Sequence, residues 1–74
     1  MTQKDIGERI KTLRKQKNLS QKDFAFACRF DRTYLSRVES GKQNLTISTL
    51  IIICEKLGVS LKEFFDFGDS TESS

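Results

Sequence analysis

The stretch SQKDFAFACRFDRTYLSRVESG, residues 20–41, decides the fold of this 74-residue chain. It contains two short segments with apolar residues at helical spacing, joined at Arg29 and Phe30. Asp31 starts the second segment, and Gly41 ends it where a left-handed residue is favoured. We therefore predict two helices packed at an angle. Their inward-facing residues are predicted to be Phe24, Ala25, Cys28, Leu35 and Val38, with Phe26 only partly covered.

Three further helices are predicted around this pair, which makes the chain all-α. Capping patterns start helices at Thr2, Thr46 and Ser60. The first of these helices runs over residues 3–17, the second stops at Gly58, and the third runs as far as Phe67. The apolar residues expected to pack inward are Ile6, Ile10, Leu13, Ile47, Leu50, Ile53, Cys54, Leu57, Leu61, Phe64 and Phe65. The cations Arg9, Lys11, Arg14, Lys15 and Lys17 are expected on the other faces of the first helix.

The charge of the chain is distributed unevenly. Residues 1–42 hold eleven Lys and Arg against five acids, whereas residues 43–74 hold two against five, and the whole chain carries +3. A short chain polarised in this way fits binding to a polyanion through one face, although many small domains simply have a solvated basic surface. Seventy-four residues make one domain, in which oligomerisation is an expected source of stability.

Several function classes are disfavoured by composition. Histidine is absent, and Cys28 and Cys54 are isolated in apolar surroundings, so we expect two buried thiols and no metal site. No catalytic constellation or glycine-rich phosphate loop is found, and we predict neither an enzyme nor a cofactor. The longest apolar run, Leu50 to Cys54, is too short for a membrane span. A soluble, cytoplasmic protein without a membrane partner is expected.

A polar row on the second helix of residues 20–41 is the candidate DNA-contacting surface. With Leu35 and Val38 inward, the residues left outward are Arg32, Thr33, Ser36 and Arg37. Arginine can pair bidentately with guanine, and the threonine methyl can meet the thymine methyl, so we predict base contacts. An ordinary solvated helix face is the alternative. The predicted phosphate-contacting residues are Gln21, Tyr34, Lys42, Gln43, Asn44 and Thr46.

Three motifs, LSQKDFA, DRTYLSRVESGK and LGVSLKEFF, resemble the lambda-repressor/Cro-like (XRE-type) helix-turn-helix family, from about Ile6 to Phe65. The resemblance implies a compact five-helix domain that binds DNA as a dimer. It aligns Gln21 with a phosphate-binding glutamine, and it aligns Ser40, Lys42 and Asn44 with residues that clamp the DNA backbone. The segment DRTYLSRVESGKQNLTI is most similar to restriction–modification controller proteins, which regulate their own gene and the endonuclease gene. Arg29 departs from the family, because glycine is usual there.

The last two predicted helices carry more apolar residues than one small core needs. Ile52 occupies a position that is commonly polar in the family, and such an excess usually marks an interface. The predicted two-fold interface comprises Ile51, Ile52, Phe64, Phe65 and Phe67. A broader internal core is the alternative. We thus predict a DNA-binding domain over residues 1–67 with a C-terminal dimerisation helix, followed by a disordered acidic tail over residues 68–74.

The resulting prediction is a dimeric, sequence-specific transcriptional regulator of bacterial or phage type that binds a pseudo-palindromic operator. Its expected partners are double-stranded DNA and a second copy, with RNA polymerase as a further candidate. Control of restriction–modification genes is the expected role. The alternatives are a phage-type repressor and an antitoxin-like or adaptor domain that uses the same fold for protein interaction.

Overall fold

Residues 1–67, the part of the chain that the computed structural model describes, form five α-helices and no strand. The helices are α1 (Gln3–Gln16), α2 (Gln21–Cys28), α3 (Arg32–Glu39), α4 (Ile47–Leu57) and α5 (Leu61–Phe64). This confirms the predicted all-α class, and the bounds of α1 to α4 lie within a residue of those expected. The predicted tail at 68–74 lies outside the described residues.

Side-chain caps start the helices where the sequence patterns indicate. Thr2 and Asp5 form a complete capping box at α1, and Ser60 and Glu63 form another at α5. In the second box the backbone N–H of Ser60 donates to the Glu63 carboxylate over 2.9 Å, which lowers the pKa of that carboxyl group. Thr46 caps α4 by accepting the N–H of Thr49. These local bonds fix the starts of α1, α4 and α5 without help from the core, whereas Asp31 precedes α3 without a side-chain cap bond.

The last helix is shorter than predicted. α5 has four residues and ends before Phe65, whereas the sequence suggested a helix as far as Phe67. The Arg9 side chain explains the early end: its Nε donates to the Phe64 carbonyl and its Nη2 to the Glu63 carbonyl, both over 2.8 Å. Arg9 therefore satisfies carbonyls that a further turn would have used, and it is not the free surface cation that was predicted.

The core is one cluster of buried apolar side chains from all five helices. Its members are Ile10, Leu13, Phe24, Ala25, Cys28, Leu35, Val38, Leu50, Ile53, Cys54, Leu57 and Phe64. The inward faces predicted for residues 20–41 are therefore confirmed. Both cysteines are free and buried, as expected, and burial raises the pKa of the Cys28 thiol to about 11 despite the opposing charge of Lys56. Such a thiol is a poor nucleophile at neutral pH.

Three predicted apolar contacts are wrong. Ile47 is 66% exposed, because it is the first residue of α4 and precedes the first buried position, Leu50. Leu61 is likewise the first residue of α5 and is exposed. Phe65, which was also expected to pack inward, is 38% exposed just after the last residue of α5. Phe26, which was predicted to lie on another face and to be only partly covered, is 85% exposed. Helical spacing alone did not separate these edge positions from the core.

α1 crosses the end of α3 at very close range, and Gly7 allows this approach. A Cβ atom at Gly7 would lie 2.3 Å from the carbonyl oxygen of Val38 and 2.7 Å from that of Glu39. Gly41 is similarly close to α1, since its Cβ would lie 2.6 Å from the Cα of Lys4. The absence of side chains at these two glycines therefore sets how α1 lies against the end of α3 and the segment that follows it.

The turn between α2 and α3 contains a left-handed residue. Arg29 has φ 61° and ψ 38°, and the neighbouring Phe30 N–H donates to the Ala25 carbonyl over 2.8 Å. Asn18, which follows α1, is also left-handed at φ 60°. A non-glycine residue in this conformation costs about 1 kcal/mol or more. The turn therefore keeps its geometry although arginine replaces glycine.

Candidate nucleic-acid interface

The outer face of α3 is polar and open. Arg32, Thr33, Ser36 and Arg37 are all exposed, as predicted. Leu35 and Val38 on the opposite side are buried against α1 and α2, so the helix cannot rotate this face inward. Its only carboxylate, that of Glu39, is buried at the far end. The exposed side of α3 thus combines two arginines and two hydroxyls without an anion, a set of groups suited to base edges.

Arg37 differs from the other three residues because its guanidinium is bound to the segment after α3. Its Nε donates to Gln43 Oε1 over 3.2 Å, and its Nη2 donates to the Lys42 carbonyl over 3.1 Å. A guanidinium has five N–H donors, so three remain for another partner. The structure therefore groups Arg37 with the phosphate candidates as much as with the base candidates.

Gln21 stands at the start of α2 and is also partly engaged. Its Nε2 donates to Glu39 Oε1 over 3.1 Å, which leaves the second hydrogen of that amide. Ser20 accepts the N–H groups of Asp23 and Phe24. The first two N–H groups of α2, those of Gln21 and Lys22, are the ones such a helix start offers to an anion. Gln21 thus supplies one amide hydrogen beside them.

The segment between α3 and α4 carries most of the other phosphate candidates. Lys42 is exposed, and Asn44 Oδ1 accepts from Gln3 Nε2 over 2.6 Å, which ties this segment to α1. Ser40 Oγ donates to the Arg37 carbonyl over 3.1 Å. The Thr46 hydroxyl accepts from the Thr49 N–H and donates to Thr49 Oγ1, so the α4 cap occupies it.

Tyr34 lies on the side of α3 next to the turn. Its ring is half-buried and meets the ring of Phe30 edge to face, with 5.1 Å between ring centroids. This contact fixes the tyrosine ring beside the base-contacting candidates. The predicted phosphate set therefore surrounds α3, but several of its side chains already hold partners within the protein: Gln21, Ser40, Gln43, Asn44 and Thr46.

A buried ion pair below this surface was missed from the sequence. Arg14 is only 6% exposed and Glu39 only 5%. Arg14 Nε donates to Glu39 Oε2 over 2.7 Å, and its Nη2 donates to Oε1 over 3.0 Å. Its Nη1 donates to the Leu19 carbonyl over 2.8 Å. The placement predicted for Arg14, on an outer face of α1, is wrong, because its charge is satisfied by a partner 25 residues away.

Comparison with known proteins identifies this arrangement. Residues 10–64, which include the whole stretch from α2 to α5, match the helix-turn-helix family. The chain belongs to the XRE-type helix-turn-helix family. Its helix-turn-helix unit consists of α2 and α3, which lie within residues 20–41.

The similar proteins include several restriction–modification controllers. Control protein C.MunI from Mycoplasma sp is 45% identical over 61 residues, which are 81% of this chain and 82% of that protein. The crystal structure of controller protein C.AhdI from Aeromonas hydrophila superposes with a TM-score of 0.80 at 32% identity and covers 85% of this chain and 96% of that one. The controller C.Esp1396I, solved as a tetramer with its 35-base-pair operator, superposes at 0.79 with 38% identity and covers 85% and 83%.

The helix-turn-helix domain also has exposed apolar residues on α4, on α5 and just after α5. We call Ile47, Ile51, Ile52, Leu61 and Phe65 the C-terminal apolar residues, and each is at least 38% exposed. Phe64 cannot belong to them, because its side chain is fully buried in the core. Phe67 is half-buried: its ring lies 6.3 Å from that of Phe64, and the Arg9 guanidinium lies 5.3 Å from its centroid.

These contacts correct the predicted interface. The sequence proposed Phe64, Phe65 and Phe67 together, yet the first is core and the last is partly covered within the protomer. Ile47 and Leu61, which were assigned to the core, are exposed instead.

No helix within residues 1–67 combines the length and the apolar character that crossing a bilayer requires.

Proposed function

We propose that this chain is a sequence-specific DNA-binding regulator of transcription that acts as a dimer and controls restriction–modification genes, its own gene among them. The observation that carries the proposal is the acid-free, exposed face of α3 in a chain whose relatives include restriction–modification controllers. The operator-bound tetramer of C.Esp1396I supports the assignment of DNA as the ligand. The site of action is then the bacterial cytoplasm.

In the proposed complex α3 enters the major groove, which accommodates one α-helix. Arg32 and Thr33 in the first turn, with Ser36 one turn later, are the base-contacting residues, and Arg37 divides its donors between a base and the backbone. Lys42, with the N–H groups at the start of α2, contacts phosphates on either side of the helix. The positive balance of residues 1–42 favours this side of the molecule for a polyanion.

Replacing Arg32 by alanine is expected to weaken operator binding by about 1–3 kcal/mol and to relax preference at one base pair, because a bidentate base contact is lost. Binding should be measured on duplexes selected from a random pool by the unmodified chain, with single base changes at each position. Lys15→Ala, which removes an exposed cation from α1, is the matched control and should change affinity little. Equal losses on selected and random duplexes would contradict a base contact by Arg32.

Replacing Lys42 by alanine is expected to weaken binding to every duplex by a similar factor, because a phosphate contact carries no sequence information. The slope of log affinity against log salt concentration should fall by about 0.9 for one lost phosphate contact. Titrations at four salt concentrations measure this slope. An unchanged slope would remove Lys42 from the phosphate-contacting set.

We further propose that the C-terminal apolar residues pair two protomers about a two-fold axis. One recognition helix offers few contacts, and a symmetric pair places two such helices about 34 Å apart, one turn of DNA. The C-terminal apolar residues lie outside the α2–α3 unit. A second protomer that covers them therefore leaves the DNA-contacting face free. Three of these residues, Ile51, Ile52 and Phe65, were also part of the interface predicted from the sequence.

Replacing Ile51 by aspartate is expected to raise the dimer dissociation constant at least about thirtyfold, since a buried interface position would then hold an unpaired charge. Sedimentation velocity over a concentration series measures the change. Phe26→Asp is the matched control, because it alters a more exposed apolar residue on α2 and should leave the dimer intact. A wild-type chain that sediments as a monomer at micromolar concentration, or an Ile51→Asp variant that stays dimeric, would contradict this interface.

A further inference from the structure

The Glu39 carboxylate is a buried charge with three donors around it. Its Oε2 accepts from Arg14 Nε over 2.7 Å, and its Oε1 accepts from Arg14 Nη2 over 3.0 Å and from Gln21 Nε2 over 3.1 Å. The three residues come from α1, α2 and α3. Gln21 is the member of this cluster that also borders the proposed DNA surface, since it is only partly buried.

The carboxylate determines which end of the Gln21 amide faces inward. A carboxylate paired with a guanidinium accepts hydrogen bonds and cannot donate, so only the NH₂ group of Gln21 can face Glu39. One amide hydrogen is then used, and the other stays available to a ligand. A free glutamine side chain can equally present its carbonyl oxygen, which a phosphate repels, and ordering it on binding costs side-chain entropy.

From this geometry we propose that Glu39 is a positioning residue for DNA binding: it holds the Gln21 amide with a hydrogen available to a DNA phosphate. The inference rests on the proposed function, because it assumes that DNA lies across the start of α2. Arg14 supports the arrangement in two ways. It neutralises Glu39, so the buried anion does not repel the phosphate, and it bonds the Leu19 carbonyl just before α2.

Pairwise coupling between Gln21 and the buried pair tests the proposal. Arg14 and Glu39 are replaced together by methionine, because an apolar pair of similar volume usually preserves folding. Binding to a short random-sequence duplex at low salt is measured for Gln21→Ala in the wild-type and in the Arg14→Met/Glu39→Met background. We expect Gln21→Ala to weaken binding about tenfold in the first and less than about twofold in the second. The control Lys42→Ala should cost the same factor in both.

The outcomes separate this inference from the proposed function. Equal losses for Gln21→Ala in both backgrounds would overturn the positioning role while leaving DNA binding in place. If neither Gln21→Ala nor Lys42→Ala weakened binding in the wild-type chain, the proposed DNA surface itself would be wrong.

A conservative variant keeps the proposal testable if the double replacement does not fold. Gln21→Asn retains the amide but is one methylene shorter, so it cannot contact Glu39 and the phosphate together. We expect it to lose as much affinity as Gln21→Ala, whereas wild-type affinity in Gln21→Asn would overturn the positioning role. Hydrogen exchange of the Gln21 side-chain amide in the free protein gives a second readout. The amide hydrogen bonded to Glu39 should exchange more slowly in the wild-type chain than the same hydrogen in Arg14→Met/Glu39→Met. If that variant does not fold, the comparison is with the amide hydrogens of exposed glutamines.

Discussion

Replacing Gly7 by alanine is expected to lower the free energy of unfolding of this domain by about 3 kcal/mol or more. On helix propensity alone the change should stabilise α1 by about 1 kcal/mol, because glycine is the poorer helix former. The structure predicts the opposite sign. A Cβ atom at this position would lie 2.3 Å from the Val38 carbonyl oxygen and 2.9 Å from the carbonyl carbon of Glu39.

Both contacts at Gly7 are with backbone atoms, so no side chain can rotate away to make room. α1 would have to move from the end of α3, and the shift would disturb the contacts that Ile10 and Arg14 make on the same side of the helix. Overpacking of this kind costs about 3 kcal/mol or more, against a total of about 5–15 kcal/mol for small domains.

Urea denaturation followed by circular dichroism measures the Gly7→Ala effect, and Gly58→Ala is its control. Gly58 is left-handed at φ 73°, but the nearest atom to its Cβ position is Lys17 Nζ at 4.0 Å. That substitution should cost about 1–2 kcal/mol from backbone conformation alone. A Gly7→Ala chain with an unchanged or raised midpoint would mean that α1 does not approach α3 as closely as described.

The second large effect is expected at the buried ion pair. Glu39→Met alone should destabilise the domain by about 3–5 kcal/mol, because it leaves the Arg14 guanidinium buried without its anion. Arg14→Met alone should cost a similar amount, because it leaves the Glu39 carboxylate buried without its cation. Replacing both residues removes the uncompensated charge, and the double variant should lie within about 2 kcal/mol of the wild-type chain.

Urea denaturation of the four chains gives their free energies of unfolding, and the coupling energy between Arg14 and Glu39 follows from these four values. Lys11→Met is a suitable control on α1, since it removes an exposed cation and should change stability by less than about 0.5 kcal/mol. Additive losses in the double variant would contradict a direct buried pair. Gln21 also donates a hydrogen bond to Glu39. The same variants therefore change both the free energy of unfolding and the position of a side chain on the proposed DNA surface.

Local chemistry made much of the fold predictable. The capping boxes at Thr2 and Ser60 depend on residues three positions apart, so the sequence shows both partners at once. The exposed face of α3 followed from the inward positions of Leu35 and Val38.

The contacts of Arg14 and Gly7, which were missed, join distant parts of the chain. Arg14 follows the core residue Leu13, but its charge suggested solvent, and its partner Glu39 lies 25 positions further on. Gly7 gave no signal, since the need for a missing side chain arises only from the carbonyls of α3. Phe64 and Phe65 are adjacent aromatics, and only the packing of α5 separates a core side chain from an exposed one.

The bonds between Arg9 and the end of α5 have a consequence for synthesis of the protein. Arg9 lies 54 and 55 residues before the carbonyls it binds, so a growing chain can form α1 long before those carbonyls exist. A four-residue helix is too short to persist by itself, and α5 must therefore await contact with α1. The end of the domain, with Phe65, can therefore take its final position only after residue 64 has left the ribosome.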